Sequence, residues 1–408
     1  MKRAFLFINQ FYPPDLAPTG RMFRDVAAEL TRRGHSVRVV CSRKSYAPGH
    51  DVGSDVVVDG VTVRRVAGTP GRSRALLVRA VDDVVFLAAA GAMTLAARAD
   101  VVVAGTSPPF VGAVAALAAA ARGTPHVQWA MDVYPDALRA HGVGVLALPW
   151  LWLLEGVARA QFRGATLVLA PGPYVAARLA RHLRDGATLR DVPLWSDLEP
   201  RPADAAGNGE LRTSRGWASR DLVLMYSGNM GRGHRFAEFL AAAERLGPEG
   251  PIWAFVGSGP RRVEVEAFRR DHHAARIQLL DYVPASNLAA SLRAADVHLV
   301  SLRRGWSGII IPSKLQAAFS AGRPVIFVGP RDNEVADWIA ESGGGWIVEE
   351  DDVDGLLAAV ASARDPTERA RRGDAAREYA RIHFDRQRNC AQIAALLEGC
   401  AADVRPPC

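Results

Sequence analysis

Lysine is nearly missing from this chain. Of 50 basic residues in 408, only Lys2, Lys44 and Lys314 are lysines; the rest are arginines. Cysteine is scarce as well. Cys41, Cys390, Cys400 and Cys408 lie far apart or near the tail and form no CxxC pair. That excludes a disulfide scaffold and a cysteine zinc site, and it suits a reducing cytoplasm. Long apolar runs are absent too. Residues 84–97 form an apolar stretch of about 14 residues, short of the roughly 20 that span a bilayer. Residues 143–157 hold Pro149, Trp150, Trp152 and Glu155. They suit either a buried core helix or a segment lying in a membrane interface. After Lys2-Arg3 the apolar stretch is too short for a signal peptide and reads as a first buried strand. The net charge is +7, but the arginines are scattered and no nucleic-acid motif occurs. No nucleic-acid partner is expected. The positive balance fits nucleotides or anionic lipid.

What is present is a soluble globular composition, 49% hydrophobic and 23% charged. A chain of this length exceeds what a single core usually serves, so two domains are expected. Short apolar strands alternate with helical patterns throughout. Strands are expected at 3–9, 36–42, 100–104, 126–130, 166–170 and 192–195, with a hairpin over 55–66 about Asp59-Gly60 and a helix over 21–33. Residues 200–216 lack periodicity and read as a linker. A second series follows at 221–226, 252–256, 277–280, 297–302, 324–328 and 345–348, then a helical tail over 366–398. The expected fold is α/β, with two doubly wound Rossmann-like domains facing a central cleft where ligands bind beyond the carboxyl ends of the strands. The boundaries expected are 1–198 and 199–380, with a C-terminal helix over about 380–408 packing back on the first domain.

The loops after these strands carry the chemistry. Tyr226-Ser227-Gly228-Asn229-Met230-Gly231-Arg232-Gly233-His234 is a glycine-rich strand-to-helix turn suited to phosphate, and Arg232 adds a guanidinium. Gly257-Ser258-Gly259 allows close approach to backbone. Asp281-Tyr282-Val283-Pro284 ends a third strand, with backbone suited to a base edge. Lys314 follows Ile309-Ile310-Ile311-Pro312-Ser313 at a helix start, where a thin-stemmed ammonium can meet a phosphate or merely snorkel. In the first half, Thr19-Gly20 precede a helix, and Gly20 is expected to bring backbone N–H groups into the cleft. Asp132 and Asp136 follow another strand; Asp132 suits a hydroxylated ligand, and Asp136 suits a helix cap. Glu334 is either a carboxylate facing the ligand or a first-turn residue.

These segments together resemble glycosyltransferase family 4, of the GT-B fold, over nearly the whole chain. The matching motifs are Gly34-His35-Ser36-Val37, Asp132-Val133-Tyr134-Pro135-Asp136, Tyr226-Ser227-Gly228-Asn229, Val256-Gly257-Ser258-Gly259, Pro312-Ser313-Lys314-Leu315 and Ala321-Gly322-Arg323-Pro324-Val325-Ile326. The sequence is most similar to bacterial members that build O-antigen and exopolysaccharide, amino-sugar transferases among them. The resemblance implies a nucleotide sugar, usually UDP-linked, on the C-terminal domain. It implies a hydroxyl acceptor on the N-terminal domain, retention of anomeric configuration, and neither a cofactor nor a tightly bound metal. Arg232 and Lys314 match the family's diphosphate-binding pair, and Gly20 its N-terminal loop glycine. The expected catalytic residues are Arg232, Lys314 and Asp132. The expected substrate-binding residues are Thr19, Gly20, Gly228, Asn229, Gly257, Ser258, Gly259, Tyr282, Val283, Pro312, Ser313 and Glu334. One departure stands out: the two glutamates the family often carries are replaced by Ile309 and Ala317. The acceptor is either a lipid-linked glycan, with peripheral contact to anionic membrane, or a small soluble molecule. The alternatives are a non-catalytic sugar-nucleotide-binding subunit and a nucleotide-sugar epimerase, the latter lacking a clear set of acid–base carboxylates.

Overall fold

The computed structural model describes residues 1–15, 17–43, 55–66, 76–142, 148–184, 186–200 and 208–402. Lys44, Cys408, residues 143–147 and residues 201–207 of the expected linker lie outside the described residues. The chain divides into two compact units, Met1–Pro193 with Gln387–Cys408, and Leu194–Arg386.

The first unit holds β1 (Ala4–Ile8), β2 (Ser36–Ser42), β3 (Val56–Val58), β4 (Val61–Val66), β5 (Val101–Ala104), β6 (His126–Trp129), β7 (Leu167–Ala170) and β8 (Thr188–Asp191). They form one sheet in the order β3-β4-β2-β1-β5-β6-β7-β8, parallel except for the β3–β4 hairpin. Central strands such as Val101–Ala104 are buried on both faces, which is why they read as unbroken apolar runs. The chain winds outward from β1 in both directions, so the switch point lies between β1 and β5.

The helix Pro18–Arg32 buries Met22, Phe23, Val26, Ala27 and Leu30 on one face, the 3.6-residue period of an amphipathic helix. It starts earlier than the sequence pattern suggests, because Pro18 is pre-set for a first helical turn. The expected strand at 192–195 is not one. Pro193 lacks a ladder donor, and the pairing strand is the polar, half-exposed edge Thr188–Asp191. The terminal helix Arg386–Ala402 lies in this unit. Glu398 accepts from Arg33 at 3.0 Å and lies 2.9 Å from His35 Nε2.

The helices Leu76–Ala96, Val111–Ala121 and Leu148–Arg163 pack side by side. No helix among the described residues is long and apolar enough to cross a membrane. The third is not the wholly buried core helix that one sequence reading allows. Leu151, Ala158 and Phe162 are buried, whereas Trp150 is 69% and Trp152 79% exposed.

The second unit holds β9 (Val223–Ser227), β10 (Ile252–Val256), β11 (Ile277–Leu280), β12 (Val297–Ser301), β13 (Val325–Val328) and β14 (Gly345–Val348), all parallel in the order β11-β10-β9-β12-β13-β14. Its switch point falls between β9 and β12. One face is packed by Leu224, Tyr226, Phe236, Phe239, Trp253 and Phe255, the other by Trp217, Val223, Met225 and Ile252. Within the expected linker, Asn208–Ser214 is a helix, tied to the second unit through Arg212, which donates to Asp296 at 3.1 Å and to Asp221 O at 2.7 Å.

Candidate active site

In the second unit, the loops after β9, β10, β11 and β12 converge at the switch point. Tyr226 OH donates to Asn229 O at 2.8 Å and ties the first loop to its own strand. The first two loops are laced together, since Met230 N donates to Ser258 O at 2.8 Å and Arg261 N to Met230 O at 3.1 Å. The glycines act here by their lack of a side chain. A Cβ on Gly257 (φ +127°) would lie 2.3 Å from Gly228 O and 3.2 Å from Tyr282 Cε1. One on Gly259 (φ +144°) would lie 2.6 Å from Asn229 Oδ1. The N–H groups of Gly228 and Gly257 are already taken, by Val256 O and Leu280 O at 2.9 Å each. These two amides therefore hold the loops rather than face a ligand.

Lys314 opens the helix Lys314–Ser320 after β12 and lies directly over the first loop: a Cβ on Gly228 would sit 3.1 Å from its Cε. Its Nζ lies 4.8 Å above the Tyr226 ring and 2.9 Å from His234 Nε2. Burial of the ammonium pulls its pKa from 10.5 down to about 7. His234 was missed as a site residue by sequence reasoning, although it sits in the quoted glycine loop. Burial, and then the charge of Lys314, hold the imidazole well below its ordinary pKa. A snorkelling lysine would extend its amine into solvent, whereas Lys314 is half-buried and turns its amine onto the Tyr226 ring and His234.

The other expected donor-side residues fall around this group. Arg232 is exposed on the same loop, and its guanidinium has no ion pair or hydrogen bond among the described residues. Tyr282 is exposed beside Gly257, and Val283 follows it half-buried. Pro312 is buried and accepts from Leu315 N, while Ser313 is exposed at the helix start without a capping bond. Glu334 is buried and is the first residue of the helix Glu334–Ser342, which Asn333 caps. Ile309 is buried and Ala317 is apolar, so neither offers a side-chain hydrogen bond where the resemblance implies glutamate.

In the first unit, Asp132 follows β6. Burial raises its pKa from 3.8 to about 6, with Thr106 at the end of β5 acting in the other direction. Asn9, at the end of β1, donates through Nδ2 to Phe11 O at 2.8 Å. Its Oδ1 and the buried Tyr12 OH have no hydrogen-bond partner among the described residues. Buried polar atoms ordinarily find partners, so each of these two is open to one. No short-range pattern marks Asn9, because the sheet alone brings it beside the end of β5.

Two expectations need correction here. Gly20 lies inside the first helical turn and its N–H is bound by Ala17 O at 3.1 Å, so it does not present that group to a ligand. Its role is clearance, since a Cβ would meet Phe11 O at 2.9 Å. Thr19 beside it is half-buried. Asp136 does not cap a helix. Its carboxylate pairs with Arg178 at 3.0 Å and with Arg181.

Two Rossmann-like domains, each with its polar loops at the switch point, define the GT-B class. Residues 19–195 match the family model of a glycosyl transferase 4-like domain, and residues 221–364 that of the glycosyl transferases group 1. The chain belongs to the glycosyltransferases built from this pair of domains. It is 26% identical over 254 residues to a probable glycosyltransferase, WbjE, of Pseudomonas aeruginosa, covering 62% of each chain. It is 27% identical over 198 residues to a putative colanic acid biosynthesis glycosyl transferase, WcaI, of Escherichia coli strain K12, covering 48% of each. These matches thus span between about half and three-fifths of the relatives' length. Among solved structures, sucrose-phosphate synthase of Thermosynechococcus elongatus superposes with a TM-score of 0.78 at 14% identity, over 99% of this chain and 100% of that one.

Proposed function

We propose that this protein transfers a sugar, with retention of configuration, from a UDP-linked donor to a hydroxyl acceptor during the assembly of a surface polysaccharide. The sugar is a hexose or an N-acetylhexosamine. One observation carries the reading: a desolvated lysine ammonium at the meeting point of four strand-end loops, with two of its three N–H donors uncommitted. That is a site for a strongly anionic oxygen. Charge grows on the diphosphate as the glycosidic bond breaks, and Lys314 with Arg232 is arranged to stabilise it. The acceptor hydroxyl attacks from the face the leaving group departs from, and the acceptor is held by the first unit's loops around Asn9, Tyr12 and Asp132. No cofactor takes part.

The acceptor we assign is lipid-linked, met at the inner face of the plasma membrane. The support is the outer surface of the three-helix layer. Val81, Val84, Val85 and Leu95, Leu117, and Trp150, Trp152 and Leu153 are all exposed there. Exposed Arg98, Arg122 and Arg163 lie at or beyond the ends of the same helices, with exposed Arg159 one turn earlier, which suits anionic headgroups.

Calorimetric titration with UDP, GDP and ADP tests the donor assignment. UDP is expected to bind in preference and Lys314→Ala to weaken it at least tenfold. A folded protein that binds no nucleotide refutes the reading. The second reading, a sugar-nucleotide-binding subunit without turnover, is favoured only by Ile309 and Ala317. It predicts UDP binding but no transfer to any lipid-linked or soluble acceptor.

A further inference from the structure

The Lys314 ammonium donates to His234 and to no other described residue. His234 is buried in the loop after β9, and its ring has two different jobs. Nδ1 lies 2.6 Å from Ser301 O, the last residue of β12. A carbonyl oxygen only accepts, so Nδ1 carries the ring proton. Nε2 is then a lone pair, and it points at Lys314 Nζ 2.9 Å away. The neutral ring is the only state compatible with an ammonium at that distance. The rest of the packing fixes the ring without competing for Nε2. Tyr226 meets it edge-on with centroids 5.6 Å apart, and Arg261 donates to the His234 carbonyl at 2.5 Å. Tyr226 and Arg261 are the titratable and charged groups that face this pair, with Tyr282 beyond Tyr226, and no carboxylate is bonded to either member among the described residues.

We infer that His234 is a positioning residue of the donor site: its Nε2 lone pair holds the Lys314 ammonium over the glycine loop and thereby sets the pH range in which the donor's diphosphate is bound. The inference rests on the donor-site reading above. Its physical basis is asymmetric. An ammonium drawn out of water depends on every acceptor it keeps, and among the described residues His234 supplies the one hydrogen-bond acceptor. Without it Lys314 gives up its proton at lower pH, and a neutral amine has no charge to offer a phosphate. With it the ammonium persists to about neutrality. An incoming diphosphate then supplies further acceptors and draws the proton on.

The scarcity of lysine makes the test direct. The chain has three lysines, so a sample labelled with 13C at lysine Cε shows at most three signals, and Lys314→Arg assigns the one of interest. The signal is titrated without nucleotide in wild type, His234→Leu and His234→Gln. His234→Leu is expected to lower the Lys314 midpoint by at least about one pH unit, the equivalent of a tenfold change. His234→Gln keeps an acceptor oxygen facing Nζ and is expected to stay close to wild type. UDP affinity follows: in His234→Leu it falls at least tenfold at pH 8 and recovers toward pH 6, and in His234→Gln it stays within about threefold. A residue with only a packing role would lower affinity equally at both pH values. An unchanged or raised midpoint in His234→Leu overturns the inference. If His234→Leu does not fold, a His234→Gln midpoint displaced by a pH unit or more overturns it instead. Because the titration needs no nucleotide, failure of UDP to bind would sink the donor reading and leave the His234–Lys314 result standing on its own.

Discussion

Replacing Lys314 by methionine should abolish nucleotide binding and, near neutral pH, make the protein more stable. The folded state holds the ammonium at a pKa of about 7, against 10.5 when unfolded. Between those values the unfolded chain binds a proton that the folded chain refuses. Stability associated with Lys314 is therefore intact above the unfolded value and is lost as pH falls toward 7. At pH 7 the penalty works out at about 4 kcal/mol, from 1.36 kcal/mol per unit over the roughly three units by which unfolded protonation exceeds folded. Methionine removes that penalty and fills the stem's space. It also removes the bond to His234 Nε2 and the contact with Tyr226, at a cost of about 2 kcal/mol together. The net gain at pH 7 is about 2 kcal/mol, or a rise of about 5 °C in melting temperature for a unit of this size. At pH 10 the penalty has fallen to under about 1 kcal/mol, so only the losses remain and the variant should melt below wild type. Differential scanning calorimetry at the two pH values, with UDP titrations alongside, reads both effects. A Lys314→Met protein less stable than wild type at pH 7, or one whose difference does not change with pH, refutes the argument.

Other substitutions test other parts of the frame. Gly257→Ala forces a side chain into a backbone region open essentially to glycine and against Gly228 O; a cost of about 3 kcal/mol should appear as more than tenfold weaker UDP binding with the circular dichroism of the fold retained. Asp136→Asn leaves Arg178 and Arg181 without their buried counter-charge and should destabilise by about 3 kcal/mol. Burial alone would raise the Asp136 pKa, but the two arginines outweigh it and hold it low. Its stabilisation is therefore present above the ordinary carboxylate pKa and lost as pH falls through the folded value. Urea melts of wild type and variant should converge on acidification, and parallel curves would contradict this. Trp152→Glu should remove binding to vesicles containing anionic lipid while leaving UDP affinity unchanged; vesicle sedimentation at equal strength for both proteins would remove the case for a lipid-facing layer.

Much of this architecture is written locally. The parallel strands of the two sheets are mostly runs such as Val101–Ala104 and Val325–Val328, and burial on both faces gives such runs one signature wherever they occur. Edges and ends are different. Thr188–Asp191 pairs with β7 at the sheet edge and shows two exposed residues, so its polar sequence hides it, while apolar Val192, Leu194 and Trp195 belong to a loop. The helix 208–214 sits in a stretch of glycine, asparagine and serine, and the sheet holds it through one arginine. The glycine loops of the second unit were legible because glycine before a helix is a local signal. The partner of Lys314 was not, since His234 lies 80 residues away and only the adjacency of β9 and β12 brings the two together.

That adjacency also explains why the chain, otherwise committed to arginine, keeps a lysine here. A guanidinium stays charged at any pH a cell experiences and spreads its donors over a rigid plane. The space available to residue 314 is a channel between the Tyr226 face and a glycine whose missing side chain would stand 3.1 Å from the Lys314 stem. A plane does not fit such a channel, and a permanent charge could not shed its proton when the site is empty of anion. A lysine can do both. It is thin enough to lie against Gly228, and its buried amine changes state close to neutrality. The same desolvation that makes Lys314 a poor contributor to stability makes it responsive to a diphosphate, because little water must be displaced before the two charges meet. The proposed function thus rests on a residue the fold would be more stable without, which is the usual mark of a binding group.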